Sequence, residues 1–366
     1  MKKPILLYIF RRPVEKSLQD LKKKLVPHDI FYGFSFMKNP FSPTVTDKVF
    51  RYKTFLRVQY LFNLLVRKFM EIIGISLIPA FLLIPEVRRA HIIFATADTY
   101  GIPLAFFKRI GIFSAPLIFN TVGLYDGLIS KKSQFMKMVM RLIAPSIDMF
   151  VSGGSIAECK KLSAYLHIKE NKFIFIPFGI DTNFFKPQKL SQSKEILIIG
   201  ADPSRDWELY KIVIEKLQKE KFRIITYKGL VKLAMPQNTI FEYGVDYVTL
   251  RKRINQSKLV LVLSKMNYHF AGQSTAMRCM SCAKPVIFTK TPGVEEYAFE
   301  SGKNCELVSP HNSNDVISAI RKLNRSEAYR AKIGKNAREI IKKMYPIEMY
   351  SKKLTSVFLS QLDKSV

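Results

Sequence analysis

The chain has 366 residues, of which 48% are hydrophobic, and 59 Lys and Arg against 29 Asp and Glu give a formal net charge of +30. This length exceeds what one hydrophobic core normally supports, so we expect two domains, and the hydrophobic content excludes a disordered chain. The charge predicts an anionic partner. Nucleic acid, an acidic lipid surface or a phosphorylated small molecule would each fit, although lysines on solvated helix faces account for part of the excess.

Short apolar segments alternate with amphipathic segments through the first half of the chain. Residues 5–10 come first, and this segment is too short for the hydrophobic region of a secretory signal; Arg11 and Arg12 follow it directly. Further strands are predicted at 92–95, 117–120, 149–152 and 173–176, with helical segments between most of them. This alternation is typical of an α/β domain with a doubly wound parallel sheet, whose ligands bind beyond the carboxyl ends of the strands.

Two basic segments with aromatic residues, at 51–57 and 60–70, fit either an anionic membrane surface or a core helix with a basic outer face. The apolar stretch at 72–85 contains Gly74 and Pro79 and is shorter than the ~20 residues that a membrane-spanning helix needs. We therefore expect no transmembrane helix. The expected location is the cytoplasm, including the inner face of the membrane as a peripheral site.

Polar residues and Pro187 interrupt the pattern at 184–194, which predicts the linker between two domains. Strand and helix then alternate again, and the last part of the chain, from Ser313, has a helical pattern that breaks at Pro346. The strands predicted after the linker are 195–200, 222–227, 239–243, 259–264 and 285–289. The predicted divisions are an N-terminal domain at 1–187, a second Rossmann-like domain at 188–345 and a terminal helix at 346–366 that packs on the first domain.

The cysteines fit neither a disulfide framework nor a zinc site. They are Cys159, Cys279, Cys282 and Cys305. Only Cys279 and Cys282 are close in sequence, in an apolar run that predicts a helix, and no second Cys or His pair has the spacing of zinc ligands. We expect buried thiols and no essential metal.

The segment from Ala271 to Arg278 follows a predicted strand and leads into a predicted helix. Gly272 permits close approach of the backbone to a ligand, and Ser274 or Thr275 is a good N-cap residue. Because the first N–H groups of a helix lack acceptors inside it, such a helix start can bind a diphosphate. An ordinary capped helix after a loop is the alternative.

A second candidate lies in the segment 200–207, directly after the first strand of the second domain. Arg205 lies there at the carboxyl end of the strand, where a guanidinium can hold phosphate oxygens with two hydrogen bonds. Alternatively, Arg205 forms a surface ion pair with Asp202 or Asp206, which would contribute little. A third segment, 176–185, is a strand end with a Pro/Gly turn in which Asp181 caps a short helix.

Together these segments, in this order and spacing, resemble the group 1 (family 4) glycosyltransferases, a family of retaining enzymes with the GT-B fold. Segment 173–187 is similar to the family's boundary motif, with Phe178 where Asn is usual, and 196–207 is similar to its phosphate loop. Segment 271–308 resembles the signature Gly-Gln-x-x-x-x-Glu-Ala-Met-Ala-x-Gly-x-Pro-Val-Ile and the Gly-x-x-Glu-Tyr turn after it. The resemblance extends from about 150 to 350.

The resemblance implies transfer of a sugar, with retention, from a nucleoside-diphosphate sugar to a glycan or lipid-linked acceptor, without cofactor, metal or nucleic acid. The implied donor site comprises Arg205, Lys265, Gly272, Gln273, Ser274, Thr275, Arg278 and Glu295. In the first domain, Asp98 and Thr121 are the catalytic candidates, with helix capping as the alternative role of Asp98. Arg11 and Arg12 are candidates for contacting the acceptor or a membrane. The leaving diphosphate itself would accept the acceptor's proton.

The sequence departs from the family at two acidic positions. Members usually carry two Glu at the positions that Phe270 and Arg278 occupy here, the first contacting the donor sugar and the second the ribose hydroxyls. Arg278 would favour anionic oxygens over hydroxyls. A non-catalytic GT-B relative that binds a nucleotide sugar or glycan is therefore an alternative. Nucleic-acid binding is a third, but no recognisable RNA- or DNA-binding module supports it.

Overall fold

The computed structural model describes residues 3–37, 39–51, 60–61, 76–131 and 134–364. The chain divides into two compact units. The N-terminal unit comprises Met1–Lys22, Phe31–Pro177 and Tyr350–Val366, and the C-terminal unit comprises Lys23–Ile30 and Phe178–Met349.

The N-terminal unit contains a six-stranded parallel sheet in the order β2-β1-β3-β4-β5-β6. Its strands are β1 (Ile5–Ile9), β2 (Ser42–Val45), β3 (Ile92–Ala95), β4 (Leu117–Thr121), β5 (Met149–Ser152) and β6 (Phe173–Phe175). Its helices are α1 (Glu15–Lys22), α2 (Lys48–Arg51), α3 (Leu77–Leu82), α4 (Ile84–Arg89), α5 (Asp98–Arg109), α6 (Leu124–Lys131), α7 (Gln134–Ile143) and α8 (Ile156–Leu166). Strands β3 and β4 are buried along their whole length, as expected for uninterrupted apolar segments in the middle of a parallel sheet.

The C-terminal unit contains a second six-stranded parallel sheet in the order β12-β11-β10-β7-β8-β9. Its strands are β7 (Ile196–Ile199), β8 (Phe222–Thr226), β9 (Thr239–Tyr243), β10 (Leu259–Val262), β11 (Val286–Thr289) and β12 (Glu306–Val308). Its helices are α9 (Trp207–Lys216), α10 (Tyr247–Gln256), α11 (Gln273–Ser281), α12 (Ser313–Arg325) and α13 (Glu327–Met344). A last helix, α14 (Ile347–Asp363), begins in this unit, and from Tyr350 onward it belongs to the N-terminal unit.

The two predicted doubly wound parallel sheets are confirmed. The ten strands predicted from apolar segments are all present, within one or two residues at each end. Two strands, β2 and β12, were not predicted: β2 contains Pro43, and β12 has only three residues, one of them the acidic Glu306. Both lie at sheet edges, where weaker strand patterns are tolerated.

The structural division of the chain differs from the predicted linker. It falls after Pro177, and residues 178–187 belong to the C-terminal unit. Phe185 is fully buried there, and its carbonyl oxygen accepts a 2.6 Å hydrogen bond from the Ser281 hydroxyl. A short segment, Lys23–Ile30, also joins the C-terminal unit. The sequence did not indicate that this segment belongs to the C-terminal unit, because it contains no regular strand or long helix.

Helix α14 packs on the N-terminal unit through aromatic contacts. The ring centroid of Phe358 lies 5.3 Å from that of Phe94 and 6.1 Å from those of Tyr8 and Phe41. Within the described ranges, no helix is long and apolar enough to cross a membrane. The basic segments predicted at 51–57 and 60–70 lie almost entirely outside the described residues.

Candidate functional site

The centre of the C-terminal sheet is the point where its strand order reverses, between β7 and β10. Such a reversal leaves a crevice beyond the carboxyl ends of the two strands, where ligands of doubly wound sheets bind. The loops that follow β7 and β10 meet there: Arg205 forms a β-bridge with Ser264, and the amide of Lys265 donates to Ser204 over 2.9 Å. The predicted phosphate loop and the predicted helix start are thus brought together by the fold.

Helix α11 begins at this edge, and its N-cap is Gly272. The sequence-based choice of Ser274 or Thr275 as N-cap was wrong, because both lie inside the first turn. Gly272 has a φ of +83°, a left-handed conformation that glycine adopts without strain. The first-turn amides of Ser274 and Thr275 have no acceptor inside the helix, while that of Gln273 donates to Phe270. The N–H groups available for an anion are therefore those of Ser274 and Thr275.

Arg205 lies directly against this helix start and is only 2% exposed. A Cβ placed on Gly272 would lie 2.2 Å from its Nη1 and 2.5 Å from its Nη2, so the guanidinium fills the space that a side chain would need. Its Nε and Nη1 are buried and have no hydrogen-bond partner among the described residues. A buried cation beside the positive end of a helix is unfavourable unless an anion joins it.

The alternative role of Arg205, an ion pair with Asp202 or Asp206, is not what the structure contains. The carboxylate of Asp202 accepts from the Ser204 amide over 2.7 Å. Asp206 is the N-cap of α9, where one oxygen accepts from Leu209, and its other oxygen lies 2.6 Å from Nδ1 of His311. Both carboxylates therefore contact groups other than Arg205.

Arg278, on the same helix, is in a different situation. Its Nε donates over 2.8 Å to the carboxylate of Asp29, which is completely buried. The guanidinium carbon lies 5.2 Å from the ring centroid of Phe185 and 5.4 Å from that of Tyr247. Burial raises the pKa of Asp29, and the positive charge of Arg278 acts in the opposite direction. Arg278 is thus held in place by a partner on a segment far away in sequence.

The other position at which the family carries Glu is occupied by Phe270, and the side chain is buried among aromatic rings. Its ring centroid lies 5.3 Å from that of Tyr297, 5.6 Å from that of Phe288 and 5.9 Å from that of Phe299. A carboxylate in this cluster would lack the hydrogen bonds that a buried charge requires. The replacement of Glu by Phe therefore agrees with the local packing.

Three further predicted donor residues surround the start of α11. The side-chain amide of Gln273 donates a hydrogen bond to the hydroxyl of Tyr297. Lys265 and Glu295 are both exposed. Glu295 follows Gly293, at which an added Cβ would lie 2.5 Å from the carbonyl carbon of His269. This close approach holds the turn that carries Glu295 against the loop before α11.

The four cysteines are unpaired and buried, as predicted. Cys279 and Cys282 lie on and at the end of α11, and burial raises the pKa of both thiols, that of Cys282 to about 12. They are therefore core residues. In the part of the chain that the structure describes, no group of three or more His, Cys, Asp or Glu side chains is placed to hold a metal ion.

The carboxyl edge of the N-terminal sheet gathers the other predicted residues. Arg11 and Arg12 follow β1 and are exposed, while Asp98 begins α5 just after β3, where the strand order of this sheet reverses. Burial, and next the charge of Glu158, raise the pKa of Asp98 to about 7; the Val122 amide and Arg11 act in the opposite direction. One carboxyl oxygen of Asp98 is buried without a hydrogen-bond partner among the described residues.

Thr121, the last residue of β4, is 3% exposed, and its hydroxyl donates to the Val151 carbonyl over 3.3 Å. Glu158 was not predicted. It is completely buried and accepts a 2.7 Å hydrogen bond from the Ser152 hydroxyl, while its amide donates to the side chain of Ser155. The pattern Ser155-x-x-Glu158 is a recognisable helix-start signature, but the sequence does not indicate that its carboxylate lies near Asp98.

Comparison with known proteins agrees with this arrangement. Residues 188–340 match the family model described as Glycosyl transferases group 1. This stretch covers both loops of the C-terminal site, and the predicted resemblance is confirmed for this part of the chain. No curated protein sequence gives a significant match.

Solved structures extend the similarity in fold to the whole chain. HepE of Anabaena, in complex with UDP and glucose, has a TM-score of 0.70 at 14% identity, with 98% of this chain and 100% of that chain covered. The sucrose-phosphate synthase of Thermosynechococcus elongatus has a TM-score of 0.68 at 13% identity, with 100% of both chains covered. A glycosyltransferase from Rickettsia africae has a TM-score of 0.65 at 12% identity, with 99% of each covered. The predicted GT-B fold is confirmed.

Proposed function

We propose that the protein is a glycosyltransferase that moves a sugar from a nucleoside-diphosphate sugar to a glycan or lipid-linked acceptor with retention of configuration. The observation that carries this proposal is the buried guanidinium of Arg205, which has no carboxylate partner among the described residues and lies against the start of α11. A diphosphate would supply the missing negative charge and accept hydrogen bonds from Arg205 and from the amides of Ser274 and Thr275. The family match over 188–340 and the complexes of HepE with UDP and with UDP-glucose support the same ligand class.

The proposed reaction breaks the bond between the anomeric carbon and the diphosphate oxygen and forms a bond from that carbon to an acceptor oxygen on the same face. The proton of the acceptor hydroxyl passes to the leaving diphosphate. Arg205 and the start of α11 stabilise the charge that develops on this diphosphate, which is the usual way in which fixed donors accelerate such a step. Because protein groups supply the positive charge, we propose that no metal is required.

We propose that the N-terminal unit binds the acceptor. The pKa of Asp98 is raised to about 7, and one of its oxygens has no hydrogen-bond partner among the residues that the structure describes, so Asp98 is suited to accept a hydrogen bond from a sugar hydroxyl. Thr121 is a weaker candidate, because its hydroxyl proton already bonds to Val151. Arg11 and Arg12 are exposed and would contact an anionic part of the acceptor.

Two observations favour a second candidate function, binding of a nucleotide sugar without turnover. The family's acidic positions hold Phe270, packed among aromatic rings, and Arg278, paired with Asp29. Neither can accept a hydrogen bond from a sugar or ribose hydroxyl. Incubation with UDP-, GDP- and ADP-sugars distinguishes the functions: release of the nucleoside diphosphate indicates an enzyme, and saturable binding with the donor left intact indicates a binding protein. The anomeric configuration of any product, measured by NMR, tests retention.

The phosphate site is tested by calorimetric titration of Arg205→Met with UDP, GDP, ADP and the corresponding nucleosides. Loss of charge-assisted hydrogen bonds should weaken the bound diphosphate by about 1.5 to 3 kcal/mol and leave nucleoside binding unchanged. Arg251→Met is the matched control, because this arginine contacts Phe184 within the same unit and should not affect either ligand. Unchanged affinity of Arg205→Met for every diphosphate that the wild type binds would rule out this site.

We propose Arg278 as a second donor contact, through the terminal nitrogens that do not bond to Asp29. Substitution of Arg278 should also lower the stability of the fold. Arg278→Met would leave the carboxylate of Asp29 buried and unpaired, which should lower the free energy of unfolding by about 3 to 5 kcal/mol. Arg205→Met, which removes an unpaired charge, should not lower it. Urea unfolding of both variants without ligand measures this difference.

A further inference from the structure

Helix α7 of the N-terminal unit exposes a continuous apolar stripe. Phe135, Met138 and Leu142 are 44%, 61% and 57% exposed. Their spacing of three and four residues places them on one side of the helix. The opposite side is occupied by Met136, Met140 and Ile143, which are buried in the core. Single exposed apolar residues are ordinary on protein surfaces, but a stripe along a whole helix marks an interaction surface.

The chain segment that contains α7 is basic. From residue 128 to residue 147, the sequence contains four basic residues and no acidic one. Two of the basic residues are on α7, one turn apart. Lys137 lies over the ring of Tyr165, with 5.0 Å to the centroid, and Nε of Arg141 donates to the Tyr165 carbonyl over 3.0 Å. These contacts hold both cations in a row along the helix beside the stripe.

The neighbouring helix α5 also exposes apolar and basic side chains. Helix α7 packs against α5 and α8. On α5, Phe106 and Arg109 are exposed, and Ile110 at its end is 56% exposed. An apolar stripe flanked by fixed basic side chains, on a chain with a net charge of +30, has the composition of a helix that lies in the interface of an anionic bilayer.

We infer that the α7 stripe, formed by Phe135, Met138 and Leu142, docks the protein on an anionic lipid surface. The apolar side chains enter the headgroup and acyl boundary, and Lys137 and Arg141 face lipid phosphates. The basic residues along α7 favour acidic lipid over a second copy of this chain, because two such basic faces would repel each other. This inference assigns a membrane contact that is separate from the donor site and does not depend on transfer activity.

The test is co-sedimentation of the purified full chain with vesicles of phosphatidylcholine alone and of phosphatidylcholine with phosphatidylglycerol. The wild type should bind the anionic vesicles at 0.1 M salt, where electrostatic interactions extend over about 10 Å, and be released as salt is raised. The combined variant Phe135→Gln, Met138→Gln and Leu142→Gln should lower the partition coefficient by about tenfold or more, because its apolar contacts with lipid are lost.

A matched control replaces three exposed apolar residues on helices of the C-terminal unit, Ile212→Gln, Val248→Gln and Met344→Gln. It should bind the vesicles within about twofold of the wild type. Both combined variants should keep the wild-type melting temperature, because none of the six side chains is buried. Equal vesicle binding by the wild type and the α7 variant would overturn the inference.

Light scattering tests the alternative that a second copy of this chain, rather than lipid, covers the α7 stripe. If the wild type is a dimer that the α7 variant converts to a monomer, and neither binds vesicles, the stripe is a contact between copies of the chain and the inference is wrong. UDP titration of the same samples separates this test from the proposed function. A chain that binds vesicles but no nucleoside diphosphate contradicts only the donor site, and the reverse result contradicts only the membrane contact.

Discussion

The carboxyl edges of the two sheets differ in their buried ionisable groups, an arginine in the C-terminal unit and two carboxyl groups in the N-terminal unit. In the C-terminal unit, Arg205 is buried at the start of α11, and the part of the chain that the structure describes supplies no carboxylate partner for it. In the N-terminal unit, burial and the charge of Glu158 raise the pKa of Asp98, while Arg11 is exposed. A buried cation at a helix start favours an anionic ligand, whereas carboxyl groups favour hydroxyl groups of a neutral ligand.

The difference arises in the loops and first helical turns that follow the strands. Both sheets are six-stranded, parallel and doubly wound, and both place the loop after their first strand at a reversal of strand order. We therefore expect a few side chains beside the two reversals to determine the ligand preference of each unit. Three substitutions test this comparison, beginning with the largest expected effect.

Gly272→Ala should abolish the anion preference of the C-terminal edge. The new methyl group would lie 2.2 Å from Nη1 of Arg205, so the guanidinium must leave the helix start. We expect the affinity for UDP, or for whichever nucleoside diphosphate binds, to fall by roughly 100-fold or more, since both the charge-assisted hydrogen bonds and the backbone geometry are lost. Calorimetric titration measures this effect.

The control for backbone strain is Gly302→Ala. Its φ of +79° is close to the +83° of Gly272, but the nearest atoms to an added Cβ are 3.8 Å away. This variant should lose about 1 kcal/mol of stability and bind the diphosphate normally. If both variants lost affinity equally, general destabilisation rather than contact with Arg205 would be responsible.

Asp98→Asn tests the raised pKa of Asp98, at the carboxyl edge of the N-terminal sheet, through the pH dependence of the free energy of unfolding. The pKa of Asp98 is raised to about 7 in the folded protein, whereas an unfolded Asp titrates near 4, so the folded state binds more protons between these values. The free energy of unfolding of the wild type should therefore fall as pH rises from 4 to 7, and Asn cannot titrate. Between pH 5 and pH 8, the stability of the variant relative to the wild type should rise by on the order of 2 kcal/mol.

Urea unfolding at the two pH values measures this change, and Asp363→Asn, at the exposed end of α14, is the control that should show none. A relative stability of Asp98→Asn that is the same at both pH values would mean that Asp98 is ionised throughout. The Asp98 carboxyl at the edge of the N-terminal sheet would then not hold a proton at neutral pH.

Ala283→Gly changes the far end of α11 and should have the smallest effect. Ala283 has a φ of +57°, a left-handed conformation that costs a residue with a side chain more than it costs glycine, and the family signature has Gly at this position. We expect thermal or urea unfolding to show a gain of about 0.5 to 1 kcal/mol. Diphosphate affinity should stay unchanged, and a changed affinity would mean that both ends of the helix influence the site.

Sequence reasoning could place the C-terminal candidates at one sheet edge because each of them follows a predicted strand closely. Arg205 lies six residues after a strand, and Gly272 to Thr275 precede an amphipathic helix, so strand and helix patterns alone placed both at one sheet edge. It failed on the N-cap, because Ser and Thr are common caps and a glycine with positive φ cannot be recognised without the backbone. It gave no indication of Glu158 as a neighbour of Asp98, since the two residues are on different helices.

The sequence by itself determined the two parallel sheets, through apolar segments of strand length separated by helical ones, and the buried state of the cysteines. Only the tertiary structure decided which charges have partners. Arg278 is paired with Asp29, 249 residues away, whereas Arg205 has no carboxylate partner within the described ranges, although Asp202 and Asp206 are close in sequence. The physical reason is that local patterns report burial and periodicity, while the partner of a buried charge depends on how distant segments return to the same point in the fold.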